Sequence, residues 1–295
     1  MKILVTGASG FIGTALVRHL AANGHEPLPL GRSRSTANAV VWNPETGEIE
    51  VEKLAGIDAV IHLAGENIAS GRWTAAKKQR LINSRLKGTH LIAETISKMA
   101  RPPSVLVSAS AVGYYGDRGN EILREESAPG RGFLADLCVQ WEAATEPATR
   151  KGIRVVHPRL GIVLARHGGV LGKMLLPFKL GVGGKVGSGN QYMSWITLED
   201  LCSILLYCAQ TSNLHGPVNA VTPNPVTNLE FTKALGNALS RPTIFPLPAF
   251  VARTALGEMA DELLLYSARV EPLKLNNLRF GFRHSELGAA LKGIV

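Results

Sequence analysis

The sequence predicts an α/β fold, a Rossmann-type doubly wound parallel sheet with a smaller, mainly helical C-terminal lobe. Three observations predict it. Ile3, Leu4 and Val5 form an apolar run at the start of the chain, as a strand reads when both its faces are covered. Gly7, Gly10 and Gly13 follow at three-residue intervals, and the helical pattern Leu16, Val17, Leu20 begins at once. Further short apolar runs then alternate with helical stretches, the rhythm of a parallel sheet with crossover helices.

The glycine turn is the best-defined motif. The first glycine permits a tight strand-to-helix turn, the second lets backbone approach a pyrophosphate, and the third lets helix pack on strand. Free N–H groups at the helix start then face the phosphates, with the helix dipole adding to the attraction. Gly7, Ser9, Gly10, Phe11, Ile12 and Gly13 are the candidate cofactor residues of this segment.

A second strand is expected over Glu26 to Leu30, ending in Gly31-Arg32-Ser33-Arg34-Ser35. An NAD-binding chain places an acid at this strand end, against the ribose 2′-hydroxyl. Here the turn holds two arginines and two serines, and a guanidinium can clasp a 2′-phosphate through paired hydrogen bonds. Gly31, Arg32 and Ser33 therefore point to NADP, with Arg32 as the main contact.

Val40 to Trp42 reads as a third strand, Asp58 to Leu63 as a fourth, and Thr74 to Met99 as a helix stopped by Pro102-Pro103. His62, inside an apolar strand, reads as a packed core residue. Ser104 to Ser108 is a fifth strand, Phe133 to about Lys151 a single helix, and Arg154 to Val156 opens a sixth strand that Arg159 to Leu164 continue. Gly168-Gly169, Pro177-Phe178 and the run Gly181 to Gly189 read as an irregular lobe. Gly216 to Ala220 is a further strand, and Thr227 to Val295 is mainly helical, with a short apolar connector at Pro242 to Pro248.

Composition sets outer bounds. The 295 residues suit one large α/β unit with a smaller lobe, and 45% hydrophobic with 19% charged residues is ordinary for a globular chain. Cys138, Cys202 and Cys208 are scattered, form no metal-ligand cluster and suit a reducing compartment. No signal peptide or transmembrane run is visible, so a cytoplasmic protein without a membrane partner is expected. The net charge of +9 comes without a nucleic-acid-binding signature, so no nucleic acid partner is expected either.

The glycine turn and the segments after it resemble the short-chain dehydrogenase/reductase superfamily, in its extended, nucleotide-sugar epimerase-like branch. His62-Leu63-Ala64-Gly65 resembles the segment that passes beside the cofactor ribose in that branch, which adds Leu63, Ala64 and Gly65 to the cofactor set. Ser84 to Thr89 resembles its Asn-x-x-Gly-Thr segment, with Arg85 at the asparagine position. There Arg85 either reaches a phosphate or ribose or lies on an exposed helix face. Val163, on the strand that runs towards the nicotinamide side, completes the set.

Ala109 to Gly116 resembles the segment Ser-Ser-Ser-x-x-Val-Tyr-Gly. That resemblance gives Ser110 the catalytic hydroxyl position and leaves Tyr114 or Tyr115 to supply the proton, with Tyr114 the first choice. The superfamily's Tyr-x-x-x-Lys pair is missing: with Glu142 aligned on the glutamate that usually follows, Leu134 and Cys138 stand at its two positions.

HLAGENIA, RWTAAKK, SASAVGYYGDRG, FLADLCVQWE, GGVLGKMLLPFKLGVGG, the WIT segment and GEMADELLL together resemble one subgroup, the NADP-binding "epimerase family" proteins. Thr197, where many of that subgroup have histidine, and Lys185, where proline is common, are expected in the substrate lobe. The resemblance implies a dinucleotide-binding domain over residues 1–165, onto which 191–222 packs back, and a substrate and C-terminal lobe over 166–295. It implies an NADP-dependent oxidoreductase or epimerase acting on a small hydroxyl or carbonyl compound. Loss of the Tyr/Lys pair keeps open a binding protein that senses or regulates through NADP(H) without turnover. Substrate and oligomeric state are not fixed by the sequence.

Overall fold

The computed structural model describes residues 1–33 and 39–295, so Arg34 and Ser35 of the basic turn lie outside the described residues. The chain opens with β1 (Lys2–Thr6), α1 (Phe11–Ala22), β2 (Glu26–Gly31) and β3 (Val40–Asn43), followed by β4 (Glu48–Ile49), β5 (Ala59–His62), α2 (Ala75–Lys98) and β6 (Val105–Ser108). Next come β7 (Ser110–Ala111), β8 (Ile122–Leu123), α3 (Phe133–Ala143), α4 (Glu146–Arg150), β9 (Arg154–Leu160) and β10 (Ile162–Leu164). After α5 (Gly169–Lys179), β11 (Tyr192–Met193), β12 (Trp195–Thr197) and α6 (Leu198–Gln210), the strand β13 (Gly216–Ala220) leads to β14 (Val226–Thr227) and α7 (Asn228–Leu239). The end of the chain carries α8 (Ala249–Leu256), α9 (Glu258–Ala260), β15 (Arg269–Val270), α10 (Leu273–Asn277) and α11 (Leu287–Ile294).

The main sheet runs β4-β3-β2-β1-β5-β6-β9-β13, with β7 extending the contact along β9. Its pairs are parallel except β3 with β4. Alternation along β1 explains the two layers. Ile3 and Val5 pack with Leu16 and Leu20 of α1 and with Leu201, Ile204 and Leu205 of α6. Leu4, on the other face, joins Val60, Leu106, and Ile92 and Ile96 of α2. Each such side chain, fully buried, contributes about 1.5–3 kcal/mol relative to exposure.

Because the sheet reverses direction of growth at β1 and β5, a crevice opens at their carboxyl ends, where such folds bind ligands. The return stretch re-enters the core: β12 pairs with β10, α6 covers one face, and β13 pairs with β9. Thr197 caps α6, accepting from Asp200 N at 3.2 Å, and is buried. Thr197 is therefore a buried cap between β12 and α6 rather than a residue open to a substrate.

Three other expectations are corrected. The single helix over Phe133 to Lys151 is two, α3 and α4, because Pro147 lacks the N–H that a continuous helix needs and Thr145 Oγ1 donates to Glu142 O at 2.8 Å. The strand after Arg154 breaks at Gly161, whose N–H turns to Ala220 O at 3.2 Å. The stretch after Gly169 is not irregular: α5 forms, with Leu171, Leu175 and Phe178 buried at helical spacing and Pro177 in its last turn.

His62 is fully buried and ties three elements together. Its Nδ1 lies 2.8 Å from Thr6 Oγ1 on β1, and its Nε2 lies 3.0 Å from Thr89 Oγ1 on α2. Thr6 Oγ1 already accepts from Leu63 N and Ala64 N, at 3.0 and 3.1 Å, so its own proton goes to Nδ1. That assignment leaves Nε2 protonated and the ring neutral.

Burial pushes the His62 pKa down to about 4, below the unfolded value. The unfolded chain thus binds the extra proton between those two values, and the contribution, complete above about pH 6.5, is lost as pH falls towards 4. Urea unfolding at pH 7 and pH 5 should show about 2 kcal/mol more loss in the parent than in His62→Gln. Equal losses in the two would remove His62 as the cause.

Candidate active site

The glycine turn forms at the carboxyl end of β1. Gly7 has φ +66°, and a Cβ on it would lie 3.0 Å from Ala64 N and from Leu63 C, so only glycine lets the turn meet the end of β5. A Cβ on Gly13 would sit 2.1 Å from Gly7 O, which fixes how closely α1 approaches the turn. A Cβ on Gly10 would meet one atom, Gly7 O at 3.1 Å, and otherwise open space.

Gly10 caps α1 without a side-chain hydrogen bond, and the first turn holds no acid. The orphan N–H groups are left for an anion. Ser9 and Gly10 are exposed; Phe11 and Ile12 are half-buried. Phe11 lies against Gly168 and Gly169, where a Cβ would come within 2.7 and 3.2 Å of its ring, and Val163 O lies 3.1 Å from the Gly169 position. Gly31, Arg32 and Ser33 end β2 on the same sheet edge, with Arg32 and Ser33 exposed. An open uncapped helix start, a backbone-lined turn and an exposed guanidinium at the end of β2 fit a phosphorylated dinucleotide.

Arg85 is buried, so the exposed-face alternative is excluded. Its Nη1 donates to Glu66 O and Leu81 O, at 3.2 and 3.3 Å. The guanidinium carbon lies 5.0 Å from the Trp141 ring centroid and 3.5 Å from where a Cβ on Gly65 would stand. It therefore underlies the Ala64-Gly65 turn. Burial lowers its pKa, and the nearby Cys138 and Glu66 oppose that shift.

The carboxyl end of β6 leads into a buried polar network. Ser110 is buried and donates to Glu142 Oε1 at 2.7 Å. Glu142 is held in turn by Arg159, Nε to Oε1 at 2.8 Å and Nη2 to Oε2 at 2.9 Å, a two-point fork. Arg159 Nη1 donates to Tyr115 OH at 3.0 Å and to Glu125 O at 3.2 Å. Tyr115 OH reaches Asn219 Oδ1 at 2.7 Å, and Asn219 N donates to Glu125 Oε1 at 3.1 Å.

Tyr114, half-buried, lies face-on to the same guanidinium, 3.4 Å from ring centroid to its carbon. Tyr115 is fully buried, and burial pushes its hydroxyl up to about 12 despite Arg159. Tyr115 is thus a fixed, protonated strut. Arg159 and Asn219 belong to no motif in the sequence, and the link of Glu142 and Tyr115 to them is invisible there, because the four lie on separate elements. The usable signal was an arginine, Arg159, next to the carboxyl end of β9.

Leu134 packs on the 112–115 turn, 3.1 Å from where a Cβ on Gly113 would be, and belongs to an apolar cluster with Trp73, Leu81, Leu137 and Met259. Cys138 is buried, and burial, then the Glu142 carboxylate, push its thiol up to about 11. Neither residue can exchange protons at neutral pH. Among the described residues no group of His, Cys, Asp and Glu could hold a metal ion.

A parallel sheet, a glycine turn on its carboxyl edge and a hydroxyl at the end of β6 define a chain of the Rossmann-type dinucleotide-binding class. The model of the NAD dependent epimerase/dehydratase family matches residues 3–220, and a domain of unknown function matches residues 247–294. An epimerase family protein of Mycobacterium bovis is 45% identical over 98% of this chain and 96% of its own length. Human epimerase family protein SDR39U1 is 39% identical over the whole of both chains. The crystal structure of human SDR39U1 (isoform 2) with NADPH superposes with a TM-score of 0.91 at 36% identity, covering 100% of this chain and 99% of that one. This chain belongs to the NAD-dependent epimerase/dehydratase family. The UDP-glucose 4-epimerase of Thermotoga maritima, at 20% identity and a TM-score of 0.79, shares the fold. No helix among the described residues is long and apolar enough to cross a membrane.

Removing one partner of a buried ion pair leaves the other charge without compensation, and typically costs about 3–5 kcal/mol. Glu142→Leu and Arg159→Met should each destabilise by that order. The double variant should lose less than the sum, with a coupling of about 1 kcal/mol or more in urea unfolding. Additive losses would mean that the fork is not holding this region together.

Proposed function

We propose that the chain is an NADP(H)-dependent, epimerase-like oxidoreductase acting on a small hydroxyl or carbonyl compound, free or nucleotide-linked. The observation that carries this reading is Ser110, placed at the same sheet edge as the glycine turn and braced by the Glu142–Arg159 pair. When bound, the nicotinamide would supply or accept the hydride. The cofactor would lie on Gly7, Ser9, Gly10, Phe11, Ile12 and Gly13, with Gly31, Arg32 and Ser33 at its 2′-phosphate. Leu63, Ala64, Gly65, Arg85 and Val163 would flank its other half. The lobe from residue 166 onwards, apart from the 191–222 return, would hold the substrate.

In this reading Ser110 orients the reacting oxygen. With its proton on Glu142 it accepts from a substrate hydroxyl, and turned from Glu142 the same O–H donates to a carbonyl oxygen. Arg159 grips both Glu142 oxygens, which makes Glu142 a fixed acceptor that aims Ser110. Tyr114, on the other face of Arg159, is the proposed proton donor. A second reading, a non-catalytic NADP(H) sensor or regulator, is favoured by one observation. Leu134 and Cys138, packed and buried, stand where the superfamily's acid–base pair would be.

Two measurements test these assignments. Arg32→Ala should weaken NADPH binding about ten- to a hundredfold and leave NADH nearly unchanged, as expected for losing one charge-assisted contact. Equal NADH and NADPH affinities in the parent, by calorimetry, would sink the 2′-phosphate assignment.

Turnover is tested by NADPH oxidation over a panel of carbonyl compounds. Ser110→Ala and Tyr114→Phe should each lower any positive rate by about 10²–10⁴-fold. A rate indifferent to both would place the chemistry elsewhere. Tight NADPH binding with no turnover on the panel would favour the regulatory reading.

A further inference from the structure

Two adjacent segments of the C-terminal half present apolar side chains to solvent. On α5 and just beyond it, Leu176, Leu180 and Val182 are exposed, the first two 66% and 68%. Beside them Ile244, Phe245 and Phe250 are exposed at 72%, 55% and 69%. The segments are joined by backbone contacts: Arg241 Nε donates to Lys179 O at 2.9 Å, Leu247 N to Lys185 O at 2.8 Å, and Gly187 N to Leu247 O at 2.9 Å. Between Arg241 and Ala255 only Ala252 is fully buried, so this stretch forms a ridge of protruding side chains.

Within the two segments the charge has one sign. Residues 147–198 contain no aspartate or glutamate, and neither do residues 231–257. Lys173, Lys179, Lys185 and Arg241 lie within or beside the apolar segments and are bonded to backbone carbonyls or to no described acid. The nearest acids in sequence are engaged: Glu146 pairs with Arg150, Glu199 with Arg283, Glu230 caps α7, Glu258 pairs with Lys78, and Asp261 with Arg253.

We infer that this face docks on an anionic lipid surface. Apolar side chains would enter the interfacial region of the bilayer while the four cations meet lipid phosphates, the combination by which proteins lie on membranes without spanning them. A second copy of the chain is a poorer occupant. A two-fold contact sets the same patch against itself, and lysine would then face lysine. A ridge also offers a protein partner no pocket walls of its own, whereas a fluid interface needs none. Surface docking requires no long apolar run, so it is compatible with the lack of a spanning helix among the described residues.

The test is sedimentation of the full chain with phosphatidylcholine vesicles, with and without about one third phosphatidylglycerol, at low and high salt. Binding should need the anionic lipid and weaken in salt. Lys179→Ala should reduce it about fivefold, the effect of one cation near such a surface. Phe245→Ser/Phe250→Ser should abolish it while circular dichroism and the thermal midpoint stay close to the parent's.

Absence of binding, or equal binding to neutral vesicles, overturns the inference. So does a dimer in sedimentation velocity that Phe245→Ser/Phe250→Ser disperses. Capture by immobilised polyglutamate without vesicle binding would also overturn it, in favour of an acidic protein partner. None of these readouts depends on NADP(H) binding or on turnover.

Discussion

The buried guanidinium of Arg159 holds together the region around Ser110. It grips Glu142 on α3, Tyr115 on the turn after β7, and the backbone at Glu125, while Tyr114 lies flat on it. Through Tyr115 and Asn219 the same network reaches β13, the strand by which the return stretch rejoins the sheet. A cation at this depth is tolerable only because nearly every donor it presents has an acceptor. Hydrogen bonding to Glu142 and the presence of Tyr115 outweigh burial and raise its pKa, so it stays charged at any pH the fold survives. Ser110 inherits its orientation from that arrangement.

The first half of the fold was legible because its signals are local. An apolar run, three glycines and a helical repeat sit within the first twenty residues, and the structure puts β1 and α1 where they indicate. The ends of β2, β5 and β6 were legible for the same reason: short strands covered on both faces have abrupt limits. The interior polar network was not legible. Its members are spread between residues 110 and 219, and spacing along a chain carries no information about which strands are neighbours. Arg85 shows the limit most clearly. Its helical position alone allowed a buried or an exposed side chain, and only the packing of α2 against α3 and the Gly65 turn decided for burial.

The charge tells a similar story. A net charge of +9 invites a search for clusters of lysine and arginine, yet the imbalance arises largely from two long stretches that lack acids. Those stretches carry ordinary numbers of basic residues. The asymmetry becomes meaningful only when the fold lays 176–187 beside 241–251. Elsewhere, acids and bases are mixed and pair across elements, as Lys87 does with Glu45 and Lys77 with Glu66.

Leu134 and Cys138 are held in place by what surrounds them. Leu134 is one wall of an apolar cluster and presses on Gly113, so a tyrosine there would displace its neighbours and bury a hydroxyl among hydrocarbons. A lysine at position 138 would enter a fully enclosed space already influenced by the Arg85 charge. Neither substitution is tolerable alone, and neither becomes tolerable by adding only the other. The departure from the superfamily's acid–base pair is therefore entrenched. An acid–base pair at these two positions would require α2, α3 and the 112–115 turn to repack together.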